Sequence, residues 1–214
     1  MKVFDKYYKQ YDDWYEKNRF LFLSEAATVK KLIPENKRGL EIGVGTGRFA
    51  LQLGIQEGCD VSKNMLAVAR NRGIKIRPAD AEKLPYKDKT FDYAVFIVTL
   101  CFVKNPLKAL KEAYRILKPG GMVIAGIIDK NSRLGRKYRK KKSVFYENAV
   151  FFSVRELKGL IKSAGFEVTE LYQTLFPGND KKEDVQKPAQ GSGRGSFIVV
   201  AAKKSSLLIR LKTG

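Results

Sequence analysis

The chain contains no histidine at all, and only two cysteines and one tryptophan among its 214 residues. Without histidine there is no imidazole to serve as a general base and no His ligand for a metal. Cys59 and Cys101 stand alone, with no paired spacing around either, so neither a disulfide scaffold nor a zinc site has a framework. No apolar run approaches the roughly 20 residues that a helix needs to cross a bilayer. The opening stretch, MKVFDKYYKQYDDWYEKNRF, is charged and aromatic throughout, unlike a secretory signal, and a cytoplasmic location is the expectation. Acidic residues are scarce as well: 22 Asp and Glu face 42 Lys and Arg, a net charge of +20.

What is present suffices for a folded protein. A hydrophobic content of 44% with 11% aromatics, in a chain of this length, implies a globular domain with a real core rather than a disordered chain. The positive excess has two readings. One is an anionic partner such as nucleic acid; the other is a lysine-rich, thermophile-like surface with solvated charge. Most lysines are scattered, but in Lys130–Lys142, KNSRLGRKYRKKK, eight of thirteen residues are basic and none is acidic.

Along the chain, Tyr7, Tyr11, Trp14 and Tyr15 fall at i, i+4, i+7 and i+8, which predicts one aromatic face on a helix over Val3–Arg19. A second helix over Leu21–Leu32 stops before Pro34. Apolar strands are then expected at Gly39–Ile42, Ile55–Cys59, Lys75–Arg77, Phe91–Val98 and Met122–Ile128, with helices at Ser62–Asn71 and Pro106–Leu117 between them. This β/α alternation predicts a largely parallel sheet with helices on both faces. Towards the end, Ser153 caps a helix through Ala164, and two strands, Glu167–Leu175 and Ser196–Lys203, follow without a helix between them, an antiparallel pair near one edge. The polar stretch PGNDKKEDVQKPAQGSGRGS joins that pair as a long loop. The organisation expected is an N-terminal helical lid over 1–34, one domain over 35–204 and a tail over 205–214.

LEIGVGTGRFA, Leu40 to Ala50, packs three glycines into five positions at the end of the first strand. A phosphate-binding P-loop would need GxxxxGK[ST], and no lysine follows here. The dinucleotide fingerprint is GxGxxG, and Arg48 holds the place of its third glycine, which demotes a dehydrogenase. The spacing is GxGxG, preceded by an acid: Glu41-Ile42-Gly43-Val44-Gly45-Thr46-Gly47.

That stretch resembles motif I of the class I S-adenosylmethionine-dependent methyltransferases, and four further signals follow in the family's order. Cys59-Asp60-Val61-Ser62 ends the second strand on a carboxylate, and Asp80-Ala81-Glu82-Lys83-Leu84-Pro85 is similar to the adenine-binding stretch. Thr90-Phe91-Asp92-Tyr93 opens the fourth strand, and Ala109 to Gly121, ALKEAYRILKPGG, is similar to the helix and turn before the fifth. The resemblance covers roughly Lys37 to Lys203. It lies nearest the small-molecule branch with quinone-biosynthesis methyltransferases and a thermophile subgroup likened to amine N-methyltransferases. It implies a Rossmann-like, seven-stranded, mostly parallel sheet with one antiparallel strand. It also implies S-adenosylmethionine as cofactor, S-adenosylhomocysteine as product, and no metal. Cofactor contacts are implied at Glu41, Gly43, Gly45, Thr46, Gly47, Asp60, Val61, Met65, Asp80, Ala81, Glu82 and Thr99. One feature departs from the family: about seven residues separate Gly47 from the second strand, few for a crossover helix.

Methyl transfer from a sulfonium requires alignment and exclusion of water more than acid–base help. Thr99 and Asp129, past strands four and five, are the catalytic candidates. Tyr11, Trp14, Tyr15 and Tyr146 are the candidates for an aromatic acceptor pocket. Cys101 reads as an apolar filler rather than a nucleophile. The expected partner is a small-molecule acceptor, with nitrogen favoured. The alternatives are an RNA methyltransferase using the basic Lys130–Lys142 segment, for RNA or another anion, and a sensor that binds S-adenosylmethionine without transferring methyl.

Overall fold

The computed structural model describes residues 2–178 and 184–204. The chain begins with three helices, α1 (Lys2–Lys6), α2 (Tyr8–Lys17) and α3 (Arg19–Lys30). The single helix expected over Val3–Arg19 is broken at Tyr7 and ends at Asn18, whose amide and side-chain Nδ2 both donate to the Trp14 carbonyl. Asn18 thereby satisfies a helix end that would otherwise need water.

β1 (Gly39–Ile42), α4 (Arg48–Leu53), β2 (Glu57–Asp60), α5 (Lys63–Asn71) and β3 (Lys75–Pro78) follow in alternation. The short link after Gly47 is accommodated by a helix of under two turns. Gly47 and Gly54 bound α4 with left-handed φ of 81° and 74°, and the Ile55 amide donates back to the Ala50 carbonyl at 2.8 Å. β4 (Phe91–Ile97), α6 (Pro106–Ile116) and β5 (Leu117–Ile128) come next. The expected turn at Lys118-Pro119-Gly120-Gly121 survives inside β5: the pairing steps from Phe91–Leu117 to Tyr93–Met122, so these four residues bulge out. α7 (Arg133–Lys140), α8 (Val154–Ser163), β6 (Phe166–Thr174), β7 (Ala189–Gln190) and β8 (Phe197–Lys204) complete the described chain. Ser153 and Glu156 close a capping box at the head of α8.

The sheet order is β3-β2-β1-β4-β5-β8-β6-β7. β8 runs antiparallel to both β5 and β6, so the expected antiparallel strand lies between them, near one edge of the sheet. Among the described residues the count is eight, not seven, because Ala189–Gln190 of the polar stretch pairs with Tyr172 and Gln173 as a two-residue edge strand. That piece carries no apolar alternation, which is why the sequence reads as loop there. Residues 205–214, expected to form a tail, lie outside the described residues.

Helices cover both faces of the sheet. Ala109, Leu110, Ala113 and Ile116 of α6 pack with Leu157 and Ile161 of α8 on one face. Residues of α2 to α5, including Tyr15, Phe22, Val29, Phe49 and Leu66, pack on the other. The central strands are accordingly apolar almost end to end, as in β4, FDYAVFI.

Candidate active site

The strand order reverses between β1 and β4, and in open α/β sheets ligand crevices form at such a switch point, beyond the carboxyl ends of the strands. A cavity of about 230 Å³ lies there. Its floor is the glycine loop. The amides of Gly43 and Val44 both donate to the Cys59 carbonyl, at 2.8 and 3.0 Å, which pins the loop to the end of β2. Gly43 has φ of +77°, and a Cβ there would lie 2.3 Å from Thr99 Cγ2, so only glycine fits. Gly47 abuts the Ala69 backbone of α5 in the same left-handed region, so its glycine serves helix packing. A Cβ on Gly45 would face only Met65 Sδ and Tyr11 Cε1 at 3.7 Å, which leaves the cavity side of that residue open.

Asp60 stands beside the loop at the end of β2. One carboxylate oxygen accepts the Gly45 amide at 3.0 Å and the other the Ser62 amide at 2.9 Å. Burial raises its pKa, while the amides of Ser62, Gly45 and Val61 oppose that rise. Each oxygen has a second lone pair, so the group can still accept from two hydroxyls. Asp80 closes its own turn by accepting the Glu82 amide at 2.9 Å, and Glu82 accepts the Asn105 amide at 2.8 Å, at the cap of α6. Glu41, behind the loop, is 2% exposed, and its Oε2 has no hydrogen-bond partner among the described residues. Burial drives its carboxyl well above the usual range, the Ala50 amide opposes this, and the charge of Asp60 reinforces it.

On the β4 side the chain turns sharply. Val98, a β-branched residue, holds φ of +50°, and its amide donates to the Gly126 carbonyl at 2.8 Å. Such a conformation costs on the order of 1–3 kcal/mol and persists only where its surroundings over-determine it. It sets Thr99, whose Oγ1 donates to the Ile97 carbonyl at 3.1 Å, against Gly43. Cys101 is buried with its thiol pushed up to about 12 by desolvation, in keeping with a filler.

The roof comes from the N-terminal helices. Phe4 packs edge-on against Tyr11 and Phe102, at ring distances of 5.6 and 4.8 Å, and lies beside Phe145 at 5.5 Å. Asp5 fastens α1 to the head of α5, accepting from Ser62 Oγ at 2.7 Å and from the Asn64 amide at 3.1 Å. Asp12 fastens α2: Arg48 and Arg72 both donate to its two oxygens at 2.7–2.9 Å, and Arg72 also donates to the Thr46 carbonyl. Burial works against the charge of Asp12, but those two guanidinium groups hold its carboxyl well below the usual range. Arg48 thus has a purpose that the glycine pattern alone does not disclose. The spacing Asp12, Glu16 on one helix face, with Glu16 also paired to Arg48, was its signal.

Of the residues expected to form the site, Tyr11, Gly43, Gly45, Asp60, Val61, Met65, Asp80, Ala81, Glu82 and Thr99 line this one cavity. Glu41, Thr46 and Gly47 sit behind it, Thr46 being tied into the Arg72 contact. Trp14 and Tyr15 are not brought to the wall. Tyr15 is buried between Phe22 and Phe49, Trp14 packs on its ring, and Tyr15 meets the cavity-lining Tyr11 through a 2.7 Å bond between the two hydroxyls and an edge-on ring contact at 5.3 Å. Asp129 is not at the wall either. It shapes the turn into α7, its carboxylate accepting the Asn131 amide and its carbonyl accepting from Ser132. Tyr146 stacks on Tyr138 at 4.9 Å and does not line the cavity. Phe4, Val98, Phe102 and Val103 line the cavity without having been singled out by sequence. They belong to no motif, and only the fold brings them together.

The wall carries three carboxylates, Asp60, Asp80 and Glu82, against one cation, Lys104. This lining disfavours a diphosphate and suits a nucleoside with positive charge. The residues fit S-adenosylmethionine on these grounds: a glycine-floored channel, acidic acceptors in series, and an orphaned buried carboxyl at Glu41.

Comparison with known proteins agrees. Residues 40–125 match the family described as "Methyltransferase domain". An uncharacterized protein of Methanocaldococcus jannaschii is 45% identical over 206 residues, spanning 95% of this chain and the whole of that protein. A Thermotoga maritima crystal structure, named a SAM-dependent methyltransferase and "possible histamine N-methyltransferase", is similar at 47% identity with a TM-score of 0.92, covering 95% of this chain and 99% of that one. A demethylmenaquinone methyltransferase of Geobacillus is 32% identical over 139 residues, covering 57% of this chain and 59% of that enzyme. With the glycine floor, the acidic wall and these relatives in agreement, the chain belongs to the S-adenosylmethionine-dependent methyltransferases.

Proposed function

We propose that this methyltransferase acts on a small-molecule acceptor and that nitrogen is the atom methylated. The observation that carries the reading is the roof. α1 and α2 close over the cavity with Phe4 and Tyr11, and each helix is fastened by a carboxylate, Asp5 to Ser62 and Asp12 to Arg48 and Arg72. A polymer would have to displace this fastened cover, whereas a small planar acceptor fits beneath aromatic faces. The names of the Thermotoga and Geobacillus relatives also indicate small acceptors.

In this reading Asp60 receives the two ribose hydroxyls and Asp80 the adenine amino group, with Ala81 as apolar wall. The backbone of Gly43 and Gly45 passes beneath the cofactor, Met65 and Val61 flank it, and Glu41 answers the methionine amino group. Thr99 stands at the reacting end. The bound cofactor supplies an activated methyl group with its own leaving group. The chain's part is to orient the acceptor nitrogen and keep water out.

Transfer of label from methyl-tritiated S-adenosylmethionine to a small-metabolite extract, with total RNA in parallel, tests the proposal. Counts in metabolites support it. Counts in RNA alone overturn it and make the outward cations of α7 the substrate platform. Binding without transfer to either pool would make the protein a sensor.

A further inference from the structure

A second cavity, of about 560 Å³, lies at the other end of the sheet, beneath the amino ends of β1 and β2. It shares no residue with the cofactor cavity. Gly39, which lines it, is separated from Gly43 of the glycine loop by the length of β1, roughly 13 Å. Its wall is built by the turn from α3 into β1, by the last residues of α4 and by Tyr93 of β4. Asn36 holds that turn with a left-handed φ of 53°, a conformation that asparagine adopts more readily than most residues.

Tyr93 carries a polar group that core packing at this end does not require. It is 3% exposed and lies across Gly39: a Cβ on Gly39 would stand 2.1 Å from Tyr93 Cζ and 2.6 Å from its hydroxyl. Position 39 is thus kept small by a phenol, and the end of that phenol opens on the cavity. A buried tyrosine hydroxyl ordinarily finds a partner, yet this one makes no hydrogen bond among the described residues. Phenylalanine would fill the same space.

The charges around it are unevenly answered. Glu57 is held by Arg38, whose Nε and Nη2 donate to it at 2.6 and 3.1 Å. Lys30 reaches the Leu53 carbonyl at 3.4 Å, and neither Lys30 nor Lys37 has an ion pair among the described residues. Two cations are therefore left against one acid, Glu35, in a wall that also carries the amides of Asn36 and Gln56. Ammonium groups with a phenol donor select an anion rich in acceptor oxygens, and a carboxylate beside amides suits hydroxyl groups. The space exceeds a bare phosphate and falls in the range of small-metabolite sites. Solvated surface lysines alone would need neither a cavity nor a buried phenol beside them.

We propose that this cavity is a second ligand site, apart from the site of methyl transfer, and that it takes a small phosphomonoester carrying hydroxyl groups. Lys30, Lys37 and the Tyr93 hydroxyl hold the phosphate, while Glu35 and the two amides receive the hydroxyls. The assignment stands whichever acceptor is methylated.

The test is calorimetric titration of the S-adenosylhomocysteine-loaded protein with glycerol 3-phosphate, inorganic phosphate and glycerol, at about 0.15 M salt. Glycerol 3-phosphate should bind one per chain, at least about tenfold tighter than glycerol and several-fold tighter than inorganic phosphate. Tyr93→Phe keeps the ring against Gly39 and should weaken it at least about fivefold; Lys30→Gln with Lys37→Gln should weaken it at least about tenfold. All three substitutions should leave S-adenosylhomocysteine affinity within about twofold, since the two cavities share no residue. No binding of glycerol 3-phosphate, binding no tighter than that of inorganic phosphate, or binding indifferent to Tyr93→Phe and to the lysine pair overturns the proposal. Loss of binding when the cations over 136–142 are neutralised would put the anion on α7 and overturn it equally.

Discussion

The floor and the roof of the cavity use carboxylates in opposite ways. On the floor, Asp60 is held by main chain: the amides of Gly45 and Ser62 each bond one of its oxygens, and their positions follow from where β2 ends and α5 begins. The roof carries one carboxylate that is over-paired and one that has no pair. Asp12 is gripped by Arg48 and Arg72, whereas Glu25, thirteen residues later, meets neither cation nor donor among the described residues. The difference teaches which carboxylates hold the fold together and which tax it. A carboxylate with its hydrogen bonds made stabilises what surrounds it, and a buried one without them destabilises the free protein.

The contrast appears first, and most strongly, in pH dependence. The folded-state pKa of Glu25 is raised to about 8 from 4.5, so its neutral form is the one the fold accepts. Its contribution is fully present below pH 4.5 and lost as pH rises through 8, a change on the order of several kcal/mol. Thermal unfolding should therefore show stability falling over that window and a flatter profile for Glu25→Gln; parallel profiles would refute the orphan status of the group. Glu41 is raised in the same sense, so the variant flattens the profile without levelling it. Asp12 runs the other way: its depressed pKa gives stability above about pH 4 that is lost as pH falls.

On the floor, Gly43→Ala combines a strained φ with a contact 2.3 Å from Thr99, and S-adenosylhomocysteine affinity should fall about a hundredfold, or roughly 3 kcal/mol, by calorimetry. A tenfold loss or less would show that the loop yields. Asp60→Ala should cost about 1–3 kcal/mol of the same affinity, because ligand hydroxyls lose their acceptor. Unchanged affinity would reduce Asp60 to the turn residue its amide bonds already make it. The smallest effect is expected outside both walls. Neutralising the cations over 136–142, most of which are exposed, should shift turnover of a small acceptor by less than about twofold. A collapse of turnover would assign the acceptor a negative charge.

The floor was legible because its chemistry is local. Gly43, Gly45 and Gly47 fall within five positions, Asp60 ends the next strand, and Asp80 follows two residues after the one after that. The roof was legible only in outline. An aromatic helix face was visible, yet the residue that reaches the cavity from α2 is Tyr11, while Trp14 and Tyr15 pack inward. Phe4 and Phe145 meet although 141 positions separate them, and nothing in either local pattern requires it. Asp129 misled because a carboxylate just past β5 reads the same whether it faces a ligand or closes a turn.

Composition, period and glycine spacing thus determined the alternating sheet, the family and the floor of the cavity, since each depends on backbone conformation over a few neighbouring residues. Only the tertiary structure decided that Arg48 and Arg72 grip Asp12, that an edge strand forms at Ala189–Gln190, and that Glu25 is buried with no cation or donor among the described residues. Burial and partnership are properties of distant segments brought together. A carboxylate in a helix looks the same in sequence whether a cation waits for it or not.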